Sequence, residues 1–465
     1  VAFSCTDDFD EINTNPVEKE VVPTSTLLTS ALQNFITLNS SLNANKTIML
    51  YTQQWSQRET TSRSTYGDGE RDWDEWYLNG MPEIDNILDL NQGENAANYI
   101  GSGATENQIG VAKILRAWAF MNITDTWGDV PYSQAHSPDF VTPKYDRQSD
   151  IYPSLIAELK AAASMLNPSA PSAKGDLVYN GNVNGWIKFA NSLRARLAMR
   201  MSEVDPAAAQ AALTDALSAP VFESNADNAV MAFQPELNQS NPLYQEFDVQ
   251  MWTYISKPLV DLMTQNNTIT DPRLPIYASP NQSGLYVGLP YGLDDGASSA
   301  IAQDSCSYPG TAVRAAEYES VFMTYYELLF IRAEAAQRGW ISGDAAALYN
   351  QAVKANMAFW GVDASAGDAY LAQPSVQYNA SNWRQILSEQ KYISLYMQGY
   401  QVWSEWRRLD FPVLELPPAA QNGATDIPRR FFYNTTERSL NGSNLEAAVA
   451  AMGGDNFNVR VWWDK

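Results

Sequence analysis

Cysteine, histidine and positive charge are scarce in this chain. Cys5 and Cys306 are the only cysteines and His136 is the only histidine. Neither a disulfide framework nor a zinc site of His/Cys type can be assembled from them. A Ser-His-Asp relay would have to use His136, which sits in the turn-like stretch Pro131-Tyr132-Ser133-Gln134-Ala135-His136-Ser137-Pro138. Thirty Lys and Arg stand against 53 Asp and Glu, a formal charge of −23, and a field of that sign argues against nucleic acid as a partner. No run of about 18 apolar residues occurs, so the sequence offers no transmembrane helix. Strand-like alternation is also rare.

What is present is apolar and aromatic. The apolar fraction of 45% is that of a folded chain, and 465 residues can bury a substantial core without staples. Length alone allows about three domains or one large helical one. The 14 Trp, 24 Tyr and 16 Phe supply flat apolar rings with polar rims, which suit sugars or peptides, although the packing of a helical core uses most of them.

Residues 6–24 are acidic and polar, with Pro16 and Pro23, and read as a tether. From Thr26 the pattern becomes helical, with Leu27, Leu28, Ala31, Leu32, Phe35, Ile36 and Leu38 at three- and four-residue spacing. Further helices are expected over 72–89, 106–124 and 151–165, from Trp186 to Met201, and from a start signal at Asp205-Pro206. Later ones are expected over 319–338, 344–359, 382–399 and 442–452. Gly128-Asp129-Val130-Pro131 reads as a chain reversal. Arg194, Arg196 and Arg200 lie beside an apolar stripe and are expected to pair with carboxylates. Trp403, Trp406, Arg407 and Arg408 read as a structural aromatic–guanidinium cluster.

Two helical pairs carry a small-residue rhythm. Ala345, Tyr349 and Ala352 follow the spacing of a tetratricopeptide second helix, and Ala209, Leu213 and Ala216 repeat it after the 186–201 helix. Small residues there let helices approach closely, and two such pairs point to a solenoid-like scaffold. Residues 220–318 differ: Pro, Gly, Asn, Ser and Tyr are frequent, and helical periodicity survives only near Trp252 to Met263. A long irregular excursion from a helical scaffold is usually functional.

At the N-terminus, Val1-Ala2-Phe3-Ser4-Cys5 followed by Thr6-Asp7-Asp8-Phe9-Asp10-Glu11 resembles the end of a bacterial lipoprotein signal peptide with a surface-export signal of Bacteroidetes type. Acyl chains on Cys5 would anchor the protein to the outer membrane without a spanning helix, and would leave Cys306 as a free thiol. Other stretches resemble one family nearly end to end. They include Ala117-Trp118-Ala119-Phe120 through Thr124-Asp125-Thr126-Trp127-Gly128-Asp129-Val130-Pro131-Tyr132, and Gly175-Asp176-Leu177-Val178-Tyr179 before Trp186-Ile187-Lys188-Phe189-Ala190-Asn191. They also include Gln390-Lys391-Tyr392-Ile393 with Trp403-Ser404-Glu405-Trp406-Arg407-Arg408, and the ending Ile427-Pro428-Arg429-Arg430-Phe431 with Trp462-Trp463-Asp464. In order and spacing these are similar to the SusD/RagB-like outer-membrane nutrient-binding lipoproteins, in particular their second, starch-binding-associated group.

That resemblance implies a mainly α SusD-like fold in which residues 25–465 form one nutrient-binding domain after a 1–24 anchor and tether. It also implies a surface-exposed lipoprotein that captures an oligosaccharide, without catalysis, for a SusC-like TonB-dependent transporter partner. Oligopeptide capture on the same scaffold is the alternative. A helical glycoside hydrolase is a third reading, disfavoured because no regular hairpin repeat is present. Two aromatic, polar stretches hold candidate ligand residues: Trp55, Tyr66 and Trp73 in the first, Tyr286 and Tyr291 in the loop-rich excursion. The first hundred residues carry 16 acids against 5 bases, a field that prefers neutral glycans or cationic peptides. No cofactor or metal is indicated. Asp68, Glu70, Asp72 and Asp74 alternate, but the glycine is misplaced for a calcium loop and Asn79 stands where a closing glutamate would be. A solvated acidic helix start accounts for them.

Overall fold

The computed structural model describes residues 22–67, 69, 71, 73–264 and 269–465. Cys5 lies outside the described residues, as do Asp68, Glu70 and Asp72. The molecule is mainly helical, as the spacing of its apolar residues predicts.

Helix α1 (Thr24–Asn39) buries Leu28, Ala31, Leu32, Phe35, Ile36 and Leu38. Helix α2 (Asn45–Tyr51), not foreseen from the sequence, is buried along its whole length and leads to strand β1 (Trp55–Gln57). The helix expected over 72–89 is two: α3 (Asp74–Leu78) and α4 (Met81–Leu90). The break is Gly80, at φ +88°, where a Cβ would stand 2.6 Å from the Phe35 ring. Only glycine lets the chain turn that close to α1. The Gly80 N–H donates to the Glu83 carboxylate at 3.0 Å and so starts α4.

Helix α5 (Thr105–Trp127) is buried nearly all round, polar residues such as Asn122 and Asp125 included. It stops at Gly128, φ +89°, and Val130 then bridges to Asp146 ahead of α6 (Gln148–Met165). Helices α7 (Val183–Arg200) and α8 (Pro206–Leu217) form a hairpin. The Asp205 carboxylate accepts the Ala208 N–H at 3.1 Å to cap α8, and Ala209, Leu213 and Ala216 are fully buried.

The excursion is built of short pieces: β2 (Ala229–Met231), α9 (Pro242–Val249), β3 (Thr253–Ile255), α10 (Lys257–Thr264), α11 (Leu274–Tyr277) and α12 (Asp295–Ser299). The helix expected near 252–263 therefore begins only at Lys257, because residues 253–255 pair antiparallel with β1. Likewise the helix expected over 319–338 opens as strand β4 (Ser320–Met323), antiparallel to β2. Only after Thr324, whose Oγ1 accepts the Glu327 N–H, does α13 (Tyr325–Gln337) start. It pairs with α14 (Ala345–Phe359), whose Tyr349 and Ala352 are fully buried. After α15 (Ala364–Leu371), the helix expected over 382–399 ends early, ahead of Met397 at φ +71°. It is α16 (Trp383–Ser394), and the wholly buried α17 (Gly399–Leu409) follows, not foreseen from the sequence. Helices α18 (Thr435–Leu440) and α19 (Gly442–Met452) follow.

One core joins α1, α4–α8, α13, α14 and α17, and a second lies under the excursion around Trp55, Phe247, Ile255 and Tyr396. Buried ions tie the first together. Arg196 grips Glu327 at 2.5 and 2.6 Å, Arg200 meets Asp125, and Arg194 meets Asp215. Arg408 binds Glu334 through two 2.6 Å bonds and Glu405 at 2.7 Å, while Lys391 holds Glu405 at 2.7 Å. Charges this deep are tolerated only when paired and hydrogen-bonded. The Arg407 guanidinium lies 3.8 Å from the Trp403 ring centroid. Trp463 closes the assembly from the far end of the chain, its Nε1–H donating to Asp125 at 2.9 Å.

Candidate ligand groove

Five aromatic residues are expected at a ligand site, and the structure separates them. Trp55 is fully buried, with its Nε1–H donating to the Tyr396 hydroxyl at 3.0 Å and its ring against Phe247. Tyr66 is fully buried between Tyr51 and Phe457. Trp73, 2% exposed, is enclosed by Tyr77, Trp127, Tyr145 and Tyr433. None of the three keeps a ring face for a ligand. The 51–73 stretch reads as an open loop, but C-terminal segments cover it, and those contacts leave no local mark in the sequence. Tyr286 is half-buried against the second core. Tyr291 lines a groove.

That groove is made by three close backbone approaches. First, β1 pairs with β3, matching Trp55 to Ile255 and Gln57 to Thr253. Second, the 287–291 segment runs along β3: the Leu289 N–H donates to the Ile255 carbonyl and the Lys257 N–H to the Leu289 carbonyl, both at 2.8 Å. A Cβ on Gly288 would lie 2.4 Å from Lys257 Cα, so the residue there must be glycine. The Ser56 hydroxyl fixes Pro290 through its carbonyl at 3.0 Å. Third, the 411–420 arm crosses over, with Pro417 seated on Gly292. Gly292 has φ +70°, and a Cβ on it would stand 2.3 Å from Pro417 Cβ.

Between these elements lies a groove of about 550 Å³ lined by Gln53, Lys257, Asp261, Tyr291, Val413 and Leu416. Gln53, itself at φ +55°, reaches across and donates from Nε2 to the Glu415 carbonyl at 2.6 Å. Lys257 and Asp261 are ion-paired one helical turn apart, which cancels the charge at that rim. Val413 and Leu416, 77% and 42% exposed, offer aliphatic surface. The Tyr291 and Tyr66 hydroxyls sit below, both pushed well above the usual phenol range by burial. The two hydroxyls face each other, with the Gln53 side chain beside Tyr66. The surface thus combines amide and aliphatic groups and a paired Lys257 and Asp261 with the exposed Glu415 carboxylate. Among the described residues no three His, Cys, Asp or Glu side chains converge as metal ligands, and no helix is long and apolar enough to cross a membrane.

Sequence reasoning missed Lys257, Asp261 and the whole 411–420 arm. The one available signal was the Leu414-Glu415-Leu416-Pro417-Pro418 run, where two prolines stiffen an exposed apolar segment after a helix.

Solved structures are similar to this chain in fold over nearly its full length. A chitin-binding protein is 28% identical with a TM-score of 0.80, over 95% of this chain and 99% of its own. A SusD homologue from Bacteroides fragilis is 23% identical with a TM-score of 0.81, over 96% and 100%. A chitin-binding SusD homologue from Flavobacterium johnsoniae is 24% identical with a TM-score of 0.80, over 94% and 98%. No curated protein matches the chain. The model of the SusD-like family described as "Starch-binding associating with outer membrane" matches residues 15–434, and the chain therefore belongs to that outer-membrane-associated, carbohydrate-binding family.

Proposed function

We propose that this protein is a non-catalytic capture lipoprotein at the cell surface. Acyl chains on Cys5 hold it to the outer membrane, it takes an oligosaccharide into the groove between the 287–292 segment and the 411–420 arm, and it delivers that ligand to a SusC-like TonB-dependent transporter. The observation that carries this reading is the likeness to a chitin-binding protein, 28% identical over 95% of the chain. The groove supports it with amide and carboxylate groups for hydroxyls, aliphatic patches for the C–H faces of sugar rings, and a Lys257–Asp261 pair at its rim. Hydrolysis would need a carboxylic acid held protonated beside the scissile bond. The carboxyls that burial raises, Asp129, Glu319, Glu389, Glu437 and Asp464, all lie outside the groove. Tyr291 is the aromatic ligand contact in this proposal, while Tyr286 lies outside the groove lining and Trp55, Tyr66 and Trp73 hold the elements beneath.

Calorimetry with chito- and malto-oligosaccharides and with capped peptides tests the reading. An oligosaccharide should bind more tightly than millimolar, and Val413→Asp with Leu416→Asp should weaken it at least tenfold. Binding of peptides in its place favours the oligopeptide alternative, and oligosaccharide binding untouched by the groove pair refutes the location. Labelled palmitate should enter the wild-type chain and not Cys5→Ala.

A further inference from the structure

A second cleft lies on the helical scaffold, at the seam of its two repeat-like hairpins. The end of α8, the 221–223 connector, α13 and the turn before α14 enclose about 650 Å³ lined by Leu217, Val221, Phe222, Tyr325, Arg332 and Trp340. Arg332 is half-buried there, and its guanidinium makes no hydrogen bond or ion pair among the described residues. In a chain of charge −23 that is unusual, because nearby carboxylates are already committed. Glu223 and Asp227 both bind Lys188, at 2.5 and 3.1 Å, and Asp215 binds Lys160 at 2.9 Å as well as Arg194. Arg338, just past the end of the same helix, is spent on Glu203 and Glu334.

The walls narrow what Arg332 could receive. The Thr214 and Ser218 hydroxyls donate to their own helix, to Gln210 O at 2.8 Å and Asp215 O at 2.7 Å. Tyr325 accepts the Gln351 side-chain N–H at 3.0 Å, leaving its own proton free to donate. Most of the rest is apolar, from Leu217, Val221, Phe222, Trp340 and Ile341, with Ser342 and the Lys188-bound Glu223 completing the lining.

We propose that this cleft docks a peptide segment of a partner protein in which an acidic side chain is flanked by large apolar ones. The carboxylate lies on the Arg332 guanidinium and the Tyr325 hydroxyl, and the apolar side chains lie against Leu217, Val221 and Trp340. A planar guanidinium matches a carboxylate with two parallel bonds, and apolar neighbours keep water from competing.

The test uses the full chain and a fluorescein-labelled, capped peptide containing Leu-Glu-Phe, with its Leu-Gln-Phe counterpart. Anisotropy should show the acidic peptide binding about tenfold more tightly at low salt, the scale of one charge-assisted contact. Arg332→Gln should erase that preference without shifting the melting temperature, Arg332→Lys should keep part of it, and Val413→Asp in the oligosaccharide groove should leave it unchanged. Equal affinity for the two peptides, a preference that survives Arg332→Gln, displacement by glucuronate oligomers at lower concentration than by unlabelled peptide, or no saturation at millimolar peptide would each overturn the proposal.

Discussion

Replacing Glu334 by Gln keeps the shape of the side chain and removes its charge from the most enclosed ion cluster in the scaffold. Glu334 and Arg408 are both fully buried, joined by two bonds of 2.6 Å. Removing one member of such a pair leaves the other charged and dry, at a cost of about 3–5 kcal/mol. Here Glu405, 2.7 Å from Arg408, still compensates part of the charge, so the expected loss is about 3 kcal/mol. In Glu334→Gln/Arg408→Met the lone cation is gone, and the pair should show a coupling of about 2 kcal/mol or more. Urea unfolding followed by tryptophan fluorescence measures both. The sign with pH follows from the pair: Arg408 holds the Glu334 carboxyl below its usual range against the opposing effect of burial. Its stabilisation is therefore complete above the unfolded value near pH ~4.3 and is lost as pH falls through the lower folded value. The gap between wild type and Glu334→Gln should narrow below about pH 4. A loss under about 1 kcal/mol at neutral pH, or one that Arg408→Met leaves unchanged, refutes the argument that these ions hold the helices together.

Asp464 behaves oppositely, since burial raises its carboxyl to about 6 despite Arg429, Arg407 and Arg460. Between pH ~4 and ~6 its ionisation works against the fold, by about 3 kcal/mol once complete. Asp464→Asn should thus match wild type near pH 4 and exceed it in stability at pH 7, read from denaturation midpoints across that range. Gly292→Ala must open the contact with Pro417, so it should weaken oligosaccharide binding by calorimetry far more than it lowers the melting temperature. Trp55→Ala should cost about 3–5 kcal/mol of stability as a core deletion, and ligand affinity measured on the folded fraction should change little. A large affinity loss at unchanged stability would return Trp55 to the ligand surface.

The helices were legible where one face alternates with solvent. The apolar stripe of α1 and the Asp205-Pro206 start of α8 read directly from spacing, because burial on one side imposes a 3.6-residue rhythm. Helices α2 and α17 escaped because they are enclosed on every side: Lys46, Glu405, Arg407 and Arg408 are as buried as their apolar neighbours. Some polar residues there meet partners hundreds of positions away, as Lys46 meets Glu246 and Arg407 the Asp125 carbonyl. Strands β3 and β4 were absorbed into adjacent helices, since three or four buried residues have no period of their own. The site was least legible of all. Aromatic content drew attention to Trp55, Tyr66 and Trp73, but a ring's value to a ligand depends on what covers its faces. The arm that lines the groove opposite Tyr291 arrives from residues 411–420.

The bond from Trp463 to Asp125 spans 338 positions, and that has a bearing on how the chain is made. Translation delivers the central helix 338 residues ahead of the indole that closes its carboxylate. Until then the aspartate shared by Tyr152 and Arg200 lacks one of its three buried partners. For the same reason a protease cut after position 460 should unlatch the interior rather than merely trim a tail.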